Sequence, residues 1–304
     1  MQIKVVSGIE RSTLRVLYEQ CVMPFLVRDY DIVYSINNVN PLLPLGRIKS
    51  IVTIHDLLPF KTGARYGKLQ GAYLRLLTKF CARRAEKIVT VSEFTKNEIS
   101  KFLGVSASKV SVFYNCLPHS FCEARNDSKQ FLLIVAGLNA DKRVDCALRG
   151  FKEYLQRNPS SRLRLMIAGG DQGARCQLEE LTADIGLQER VHFLGEITDE
   201  EKNELLSDCV AIVMMGRSEG FGIPVLEAMR VGKPALVAKA GALPEVMGKA
   251  GVMVRFPESA DQVAEGIQEI VESNIDWFSV CRSEYKRFDI LNTSLAFWSS
   301  IFSQ

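Results

Sequence analysis

At 304 residues, with 47% hydrophobic and 24% charged side chains, the chain has the composition of an ordinary globular protein and length enough for two cores, which excludes the disordered and fibrous classes. Its 38 basic and 35 acidic residues leave a formal charge of +3, too balanced for a nucleic-acid binder. No apolar run approaches the roughly 18 residues that a bilayer span needs, and Lys4, Glu10, Arg11 and Arg15 interrupt what would be the apolar core of a signal peptide.

Short apolar runs alternate with longer helical patterns, which predicts α/β units with a parallel sheet flanked by helices. In the first half the expected strands are Ile3–Val6, Asp31–Ser35, Ile51–Ile54, Lys87–Val91 and Val110–Tyr114. Helices are expected over 68–85 and 93–102, the second capped by Ser92. The first of these carries Lys68, Arg75, Lys79, Arg83, Arg84 and Lys87 among Tyr73, Leu74, Leu76, Leu77 and Phe80. Both a solvated face and a face lying on an anionic membrane fit that pattern. Residues 115–130, with Pro118, Asn126, Asp127 and Ser128, read as an interdomain linker, with the boundary near 123.

The second half repeats the alternation. Phe131–Val135 precedes a helix whose apolar face holds Val144, Leu148, Phe151 and Leu155, and Leu163–Ile167, a helix over 177–185 and Val191–Leu194 follow. Thr198 and Glu201 form a capping box, Cys209–Met215 is strand-like, and Pro224 sits in the first turn of a helix that stops at Gly232 and Pro234. Ala235–Ala238 resumes as strand, Ser259–Gln262 opens another helix, and Leu291–Phe302 is a terminal helix.

Eight cysteines are scattered through apolar segments with no Cys-x-x-Cys pair, and we read them as reduced core residues of a cytosolic protein. His55, His119 and His192 lie too far apart in sequence to suggest zinc. Asp29 and Asp31 open a strand at the end opposite the ligand edge of a parallel sheet, so no metal site is assigned to them. Gly169, Gly170 and Gly173 lack the Gly-x-Gly-x-x-Gly spacing, which argues against a nicotinamide cofactor.

The most informative stretch is Ser218-Glu-Gly-Phe-Gly-Ile-Pro-Val-Leu-Glu227-Ala-Met229, where a strand, a glycine-containing loop and a helix start carry one acid on each side of the turn. A helix N-terminus offers free N–H groups to an anion, and ligands bind outside the carboxyl ends of parallel strands. Glu219 and Glu227 are therefore positioned to accept hydroxyls from two parts of one phosphorylated ligand, the pattern of a sugar nucleotide. Lys142 and Arg143 bring two cations to the start of the helix after Phe131–Val135, which suits a diphosphate. His55 and Asp56 end the strand 51–54, and Leu194, Gly195 and Glu196 end another.

The wording from Glu219 to Met229 resembles the glutamate, seven residues, glutamate motif of retaining glycosyltransferases of family 4, built from two facing Rossmann-like domains (the GT-B architecture). The resemblance implies that Lys142 and Arg143 hold the donor diphosphate, that His55 contacts the donor sugar near the reaction centre, and that Leu194, Gly195 and Glu196 contact the base. It implies that Glu219 is catalytic and that Glu227 binds the ribose, with Phe221, Gly222 and Ile223 along the donor. Asp56 is left a helix-capping or loop-bonding role. No cofactor, metal or protein nucleophile is implied.

Members of the family begin with a strand and a Gly-rich loop that the resemblance does not find here, so an incomplete acceptor-side domain over 1–122 is expected. A nucleotide-sugar domain over 123–285 and a terminal helix over 286–304 that packs back on the first domain complete the expectation. The implied function is transfer of a hexose, mannose by resemblance, from a nucleotide-sugar donor to a saccharide or lipid-linked saccharide acceptor in cell-surface polysaccharide synthesis, in the cytoplasm, with contact to the inner membrane face left open. A truncated, non-catalytic sugar-nucleotide binder and a sugar-nucleotide epimerase remain open as alternatives.

Overall fold

A computed structural model describes residues 18–38, 47–61, 68–118 and 130–302. The expected strand Ile3–Val6 and residues 119–129 of the expected linker lie outside the described residues. The chain divides into two compact units, Met1–Phe113 and Tyr114–Gln304. The division has a local cause. The Phe113 N–H donates to Thr90 O at 2.8 Å, extending the pairing of the first sheet, whereas the Tyr114 ring packs edge-on against Phe288 at 5.4 Å in the second unit.

In the first unit, β1 (Ile32–Ser35), β2 (Lys49–Ile54), β3 (Lys87–Thr90) and β4 (Val110–Val112) form a sheet in that order. All its pairings are parallel, with Tyr34 opposite Ile51, Val52 opposite Ile88 and Val89 opposite Ser111. Its helices are α1 (Met23–Leu26), α2 (Leu58–Lys61), α3 (Lys68–Arg84) and α4 (Glu93–Leu103). A parallel sheet covered on both faces needs strands apolar on both sides, which is why Ile51, Val52, Ile54, Ile88 and Val89 are all buried. Val52, Ile54 and Ile88 among them pack with Ala82, Ala85, Ile99 and Leu103 from α3 and α4 and their flanks. Ser92 caps α4 as expected, accepting the Thr95 N–H at 3.0 Å. Asp31 directly precedes β1, at the end of the sheet opposite His55.

The second unit holds a six-stranded sheet in the order β10-β9-β8-β5-β6-β7. Its strands are β5 (Phe131–Val135), β6 (Arg164–Ala168), β7 (Val191–Gly195), β8 (Ala211–Met214), β9 (Ala235–Ala238) and β10 (Gly251–Val254), all parallel. The helices are α5 (Val144–Arg157), α6 (Arg175–Asp184), α7 (Asp199–Asp208), α8 (Ile223–Arg230), α9 (Leu243–Met247), α10 (Ala260–Glu272), α11 (Trp277–Tyr285) and α12 (Ile290–Phe302). From β5 the chain winds outward through β6 and β7, then returns to β8 on the other side of β5. The crevice between β5 and β8 at their carboxyl ends is thus the switch point of the sheet, where open α/β folds bind ligands. Beneath it α5 and α10 pack closely, because Gly150 leaves space for Val263 where a Cβ would meet it at 2.2 Å.

The expected capping box is present. Thr198 accepts from the Glu201 N–H, and Glu201 accepts from the Thr198 N–H at 2.8 Å. Ser259 likewise caps α10, and Pro224 lies in the first turn of α8. The reading of the cysteines as core residues needs correction at Cys21, Cys176 and the half-buried Cys116, and Cys122 lies outside the described residues. Cys81, Cys146, Cys209 and Cys281 are buried, but Cys21 and Cys176 are exposed, Cys176 because it stands on the outer face of α6, beside Glu180. Burial pushes the thiols of Cys209 and Cys281 up to about 12. No helix among the described residues is long and apolar enough to cross a membrane.

Candidate active site

The loop leaving β5 is tied down by its own backbone. Leu138 donates its N–H to Gly170 O at 2.9 Å and accepts from the Gln172 N–H at 3.0 Å. The Asn139 side chain accepts the Asp141 N–H at 3.0 Å and starts a 3-10 turn over Ala140–Lys142. Arg143 then takes φ 50, and among the described residues it alone departs from glycine in doing so. Such a conformation costs about 1–3 kcal/mol and persists where the surroundings fix it. Its effect is to reverse the chain so that α5 begins directly at Val144. No side chain caps α5; the Cys146 N–H turns back to Arg143 O at 3.1 Å, and the start of the helix suits an anion beside two cations.

The loop leaving β8 is stitched to the first by the Arg217 N–H, which donates to Asp141 O at 2.9 Å. Glu219 is held through its main chain. Its carbonyl accepts the Ala242 N–H at 2.9 Å, and a Cβ on Gly241, which has φ 63, would lie 2.5 Å from its backbone N and O. Thus fixed, Glu219 sends Oε1 to within 2.6 Å of Lys142 Nζ. Both side chains are largely buried, at 26% exposure for the lysine and 14% for the glutamate. Lys142, Arg143 and Glu219 line one recess at the switch point with Ala136, Val144 and Gly216. The Arg143 guanidinium also stands 3.6 Å from Glu258.

Glu227 takes a different partner. It lies one turn into α8, which starts after Gly222 at φ 104, and it is 5% exposed. Its Oε1 is 2.9 Å from Lys202 Nζ on α7. Burial pushes the Glu227 carboxyl above the ordinary range, against the pull of Lys202. Glu227 is not among the residues that line the recess of Lys142 and Glu219.

The remaining expected site residues fall as follows. Phe221 is 5% exposed and packs against Tyr114 and Phe288, so its ring is part of an aromatic core cluster. Gly222 is buried, while Ile223 at the head of α8 is exposed. At the carboxyl end of β7, Leu194 is exposed, Gly195 accepts the Gly169 N–H at 2.7 Å, and Glu196 is exposed. His55 belongs to the other compact unit. It follows β2, exposed, with Nε2 2.8 Å from Ile36 O and its N–H donating to Asn38 Oδ1 at 3.2 Å. Asp56 accepts the Leu58 N–H at 3.0 Å, the loop-bonding role expected of it. Among the described residues, no three or more His, Cys, Asp or Glu side chains gather as metal ligands would. Lys202 was not singled out in the sequence, because in Thr198-Asp-Glu-Glu-Lys202 it reads as one more solvated charge at a helix start.

With this geometry in hand, the comparisons with known proteins agree on a family. The family described as Glycosyl transferases group 1 matches residues 119–287, more than half of the chain, and Glycosyltransferase Family 4 matches residues 6–121. The chain is 28% identical over 250 residues to the O-antigen chain mannosyltransferase RfbU of Salmonella typhimurium, covering 82% of this chain and 68% of that protein. It is 26% identical over 262 residues to the O-antigen chain mannosyltransferase B of Escherichia coli, again covering 82% and 68%. The chain thus spans about two thirds of the length of either protein. The crystal structure of Anabaena HepE in complex with UDP and glucose shares the fold, with a TM-score of 0.74 at 18% identity over 93% of this chain and 80% of that one. The chain belongs to the glycosyl transferases group 1, and it is a glycosyltransferase of GT-B architecture and family 4 type.

Proposed function

We propose that the protein transfers a hexose, with retention of configuration, from a nucleotide-sugar donor to a saccharide or lipid-linked saccharide acceptor. The domain over residues 123–285 takes the donor and the domain over residues 1–122 the acceptor. The observation that carries this reading is the juxtaposition of Lys142, Arg143, the uncapped start of α5 and Glu219 at one switch point.

Each group answers a charge that develops in such a transfer. As the bond from C1 to the phosphate oxygen breaks, its electron pair passes to the diphosphate. Lys142, Arg143 and the α5 N–H groups then meet that charge in a partly dry recess, where preorganised donors are most effective. Glu219 accepts sugar hydroxyls and offsets the positive charge that grows on the ring. A phosphate oxygen takes the proton of the acceptor hydroxyl as the new C1–O bond forms on the same face. His55 contacts the donor sugar, Glu227 accepts from the ribose hydroxyls, and the backbone of Leu194–Glu196 contacts the base.

Mannose as the sugar is supported by the names of the two relatives, which are O-antigen mannosyltransferases; HepE, by contrast, holds UDP and glucose. The test is turnover of GDP-mannose against UDP-hexoses, after a melting screen with UDP, GDP, ADP and their sugars. A real ligand at ~100 times its dissociation constant adds about 2.7 kcal/mol of stability. No shift with any of them, or an epimerised donor without acceptor, would count against transfer.

A lipid-linked acceptor and a site of action at the cytoplasmic membrane face belong to the same proposal. Their support is α3, on which Leu69, Tyr73, Leu76 and Phe80 are exposed at helical spacing, with Arg84 stacked 5.2 Å from the Phe80 ring. Apolar residues flanked by Lys79, Arg83 and Arg84 suit an anionic lipid surface. Cosedimentation with phosphatidylglycerol vesicles, lost in Leu76→Glu, is the expected result; equal pelleting of the variant counts against it.

A further inference from the structure

Lys202 joins two walls of the proposed donor site. It stands in the first turn of α7, the helix that follows the loop Leu194–Glu196 in the chain, and its Nζ reaches Glu227 Oε1 on α8 at 2.9 Å and Asp199 Oδ1 at 2.9 Å. The two carboxylates differ in surroundings: the Asp199 side chain is 86% exposed and that of Glu227 only 6%. A carboxylate so deeply buried keeps its charge only with a close, hydrogen-bonded partner. Lys202, half-buried itself, supplies that partner from a different element, so its place in the fold is set by Glu227 and Asp199 together.

We infer that Lys202 is a positioning residue for donor recognition: it holds the Glu227 carboxylate ionised and in one orientation, ready to accept two hydroxyls from the ribose. This inference rests on the assignment of Glu227 to the ribose. An ionised carboxylate accepts through both oxygens, whereas a protonated one loses acceptor capacity. The charged groups that bear on Glu227 are Lys202 and Asp199. Burial raises its carboxyl first, Asp199 adds to the rise, and Lys202 alone opposes it. Without Lys202, protonation of Glu227 moves to higher pH, and nucleotide affinity is lost there too.

The test is calorimetric titration across pH of the full chain with UDP and with GDP, following whichever binds the wild type. We expect wild-type affinity to weaken as the pH falls through the Glu227 transition. In Lys202→Met the inflection moves to higher pH and affinity at mildly acidic pH drops at least about tenfold, the scale of a lost charge-assisted hydrogen bond. Lys202→Arg returns the inflection toward the wild-type position, and Glu227→Gln abolishes it. An unshifted inflection in Lys202→Met, or an equal loss at every pH, overturns the inference. Should Lys202→Met fail to fold around a lone buried carboxylate, Lys202→Met with Glu227→Gln carries neither charge. It binds as Glu227→Gln alone does if Lys202 acts only through Glu227, and a further loss overturns the role. A wild type that binds neither nucleotide removes the donor site itself, and this inference with it.

Discussion

Lys142 Nζ lies 2.6 Å from Glu219 Oε1, across the seam where β5 and β8 send their loops in different directions. In the unliganded protein the cation assigned to the diphosphate is therefore already neutralised by the acid assigned to the sugar. On the proposed function, a donor diphosphate would exchange one anion for another at Lys142 and free Glu219 for the hydroxyls of the hexose.

Glu219→Gln separates those two roles. With its competitor removed, Lys142 is released, and a nucleoside diphosphate should bind about 1.5- to 5-fold more tightly, the range of a partly exposed ion pair of 0.2–1 kcal/mol. Transfer at saturating donor should fall by about a hundredfold or more, as for loss of a group aimed at transition-state charge. Calorimetry and initial rates read the two effects separately. Weaker diphosphate binding in the variant would contradict the exchange.

Glu227 makes a pH-dependent statement about stability. Its folded-state carboxyl is raised above the ordinary value of 4.5 by burial, so the folded state holds the proton more tightly than the unfolded state. Stability from this group is then complete below the ordinary value and is lost as pH rises through the folded one. Glu227→Gln mimics the protonated acid. Its melting temperature should match the wild type at acid pH and exceed it at neutral pH, while nucleotide affinity falls about tenfold or more. A lower melting temperature at neutral pH would show that the ion pair with Lys202 outweighs burial. Stability given up to keep an acid ionised fits a residue retained for binding.

Gly241 sets the position of Glu219. With φ 63 and no space for a Cβ against the Glu219 main chain, Gly241→Ala should cost about 1–2 kcal/mol for the left-handed conformation alone. It should also displace the carboxylate and slow transfer. Thermal denaturation and rate measurement check both; full activity in a stable variant would mean that Glu219 is not held there.

Thiol reactivity distinguishes the cysteines. Cys21 and Cys176 are exposed and should react with a disulfide reagent in the native protein. Cys209 and Cys281, pushed up to about 12 by burial, should react only on unfolding. Fast labelling of Cys209 without unfolding would contradict the core described above.

Much of the second unit was legible because its signals are local. Thr198 with Glu201, and Ser259, announce helix starts through bonds that close within four residues, Pro224 does so through its fixed φ, and Phe131–Val135 and Ala235–Ala238 are apolar throughout because they are buried on both faces. Three elements escaped. β10 is only four residues long and opens on a glycine, α9 has five residues and no side-chain cap, and α11 presents only Cys281 as a buried residue. In the site, the contact of Lys142 with Glu219 spans 77 positions and depends on β8 returning beside β5, which no local pattern states. The partner of Glu227 was invisible for a similar reason, since Lys202 sits in a charged run that looks like solvent-facing helix. The packing of the Phe221 ring against Tyr114 and Phe288 was equally hidden, since those partners lie 107 and 67 positions away in the chain.

Nucleotide binding at the β5–β8 crevice underlies every role proposed above, and titration of UDP and GDP into the wild type and Lys142→Met reads it. We predict that one of the two binds the wild type and that its affinity falls about tenfold or more in Lys142→Met, the scale of a lost charge-assisted hydrogen bond to phosphate. Equal affinity in the two proteins, or binding of neither nucleotide by the wild type, would contradict it.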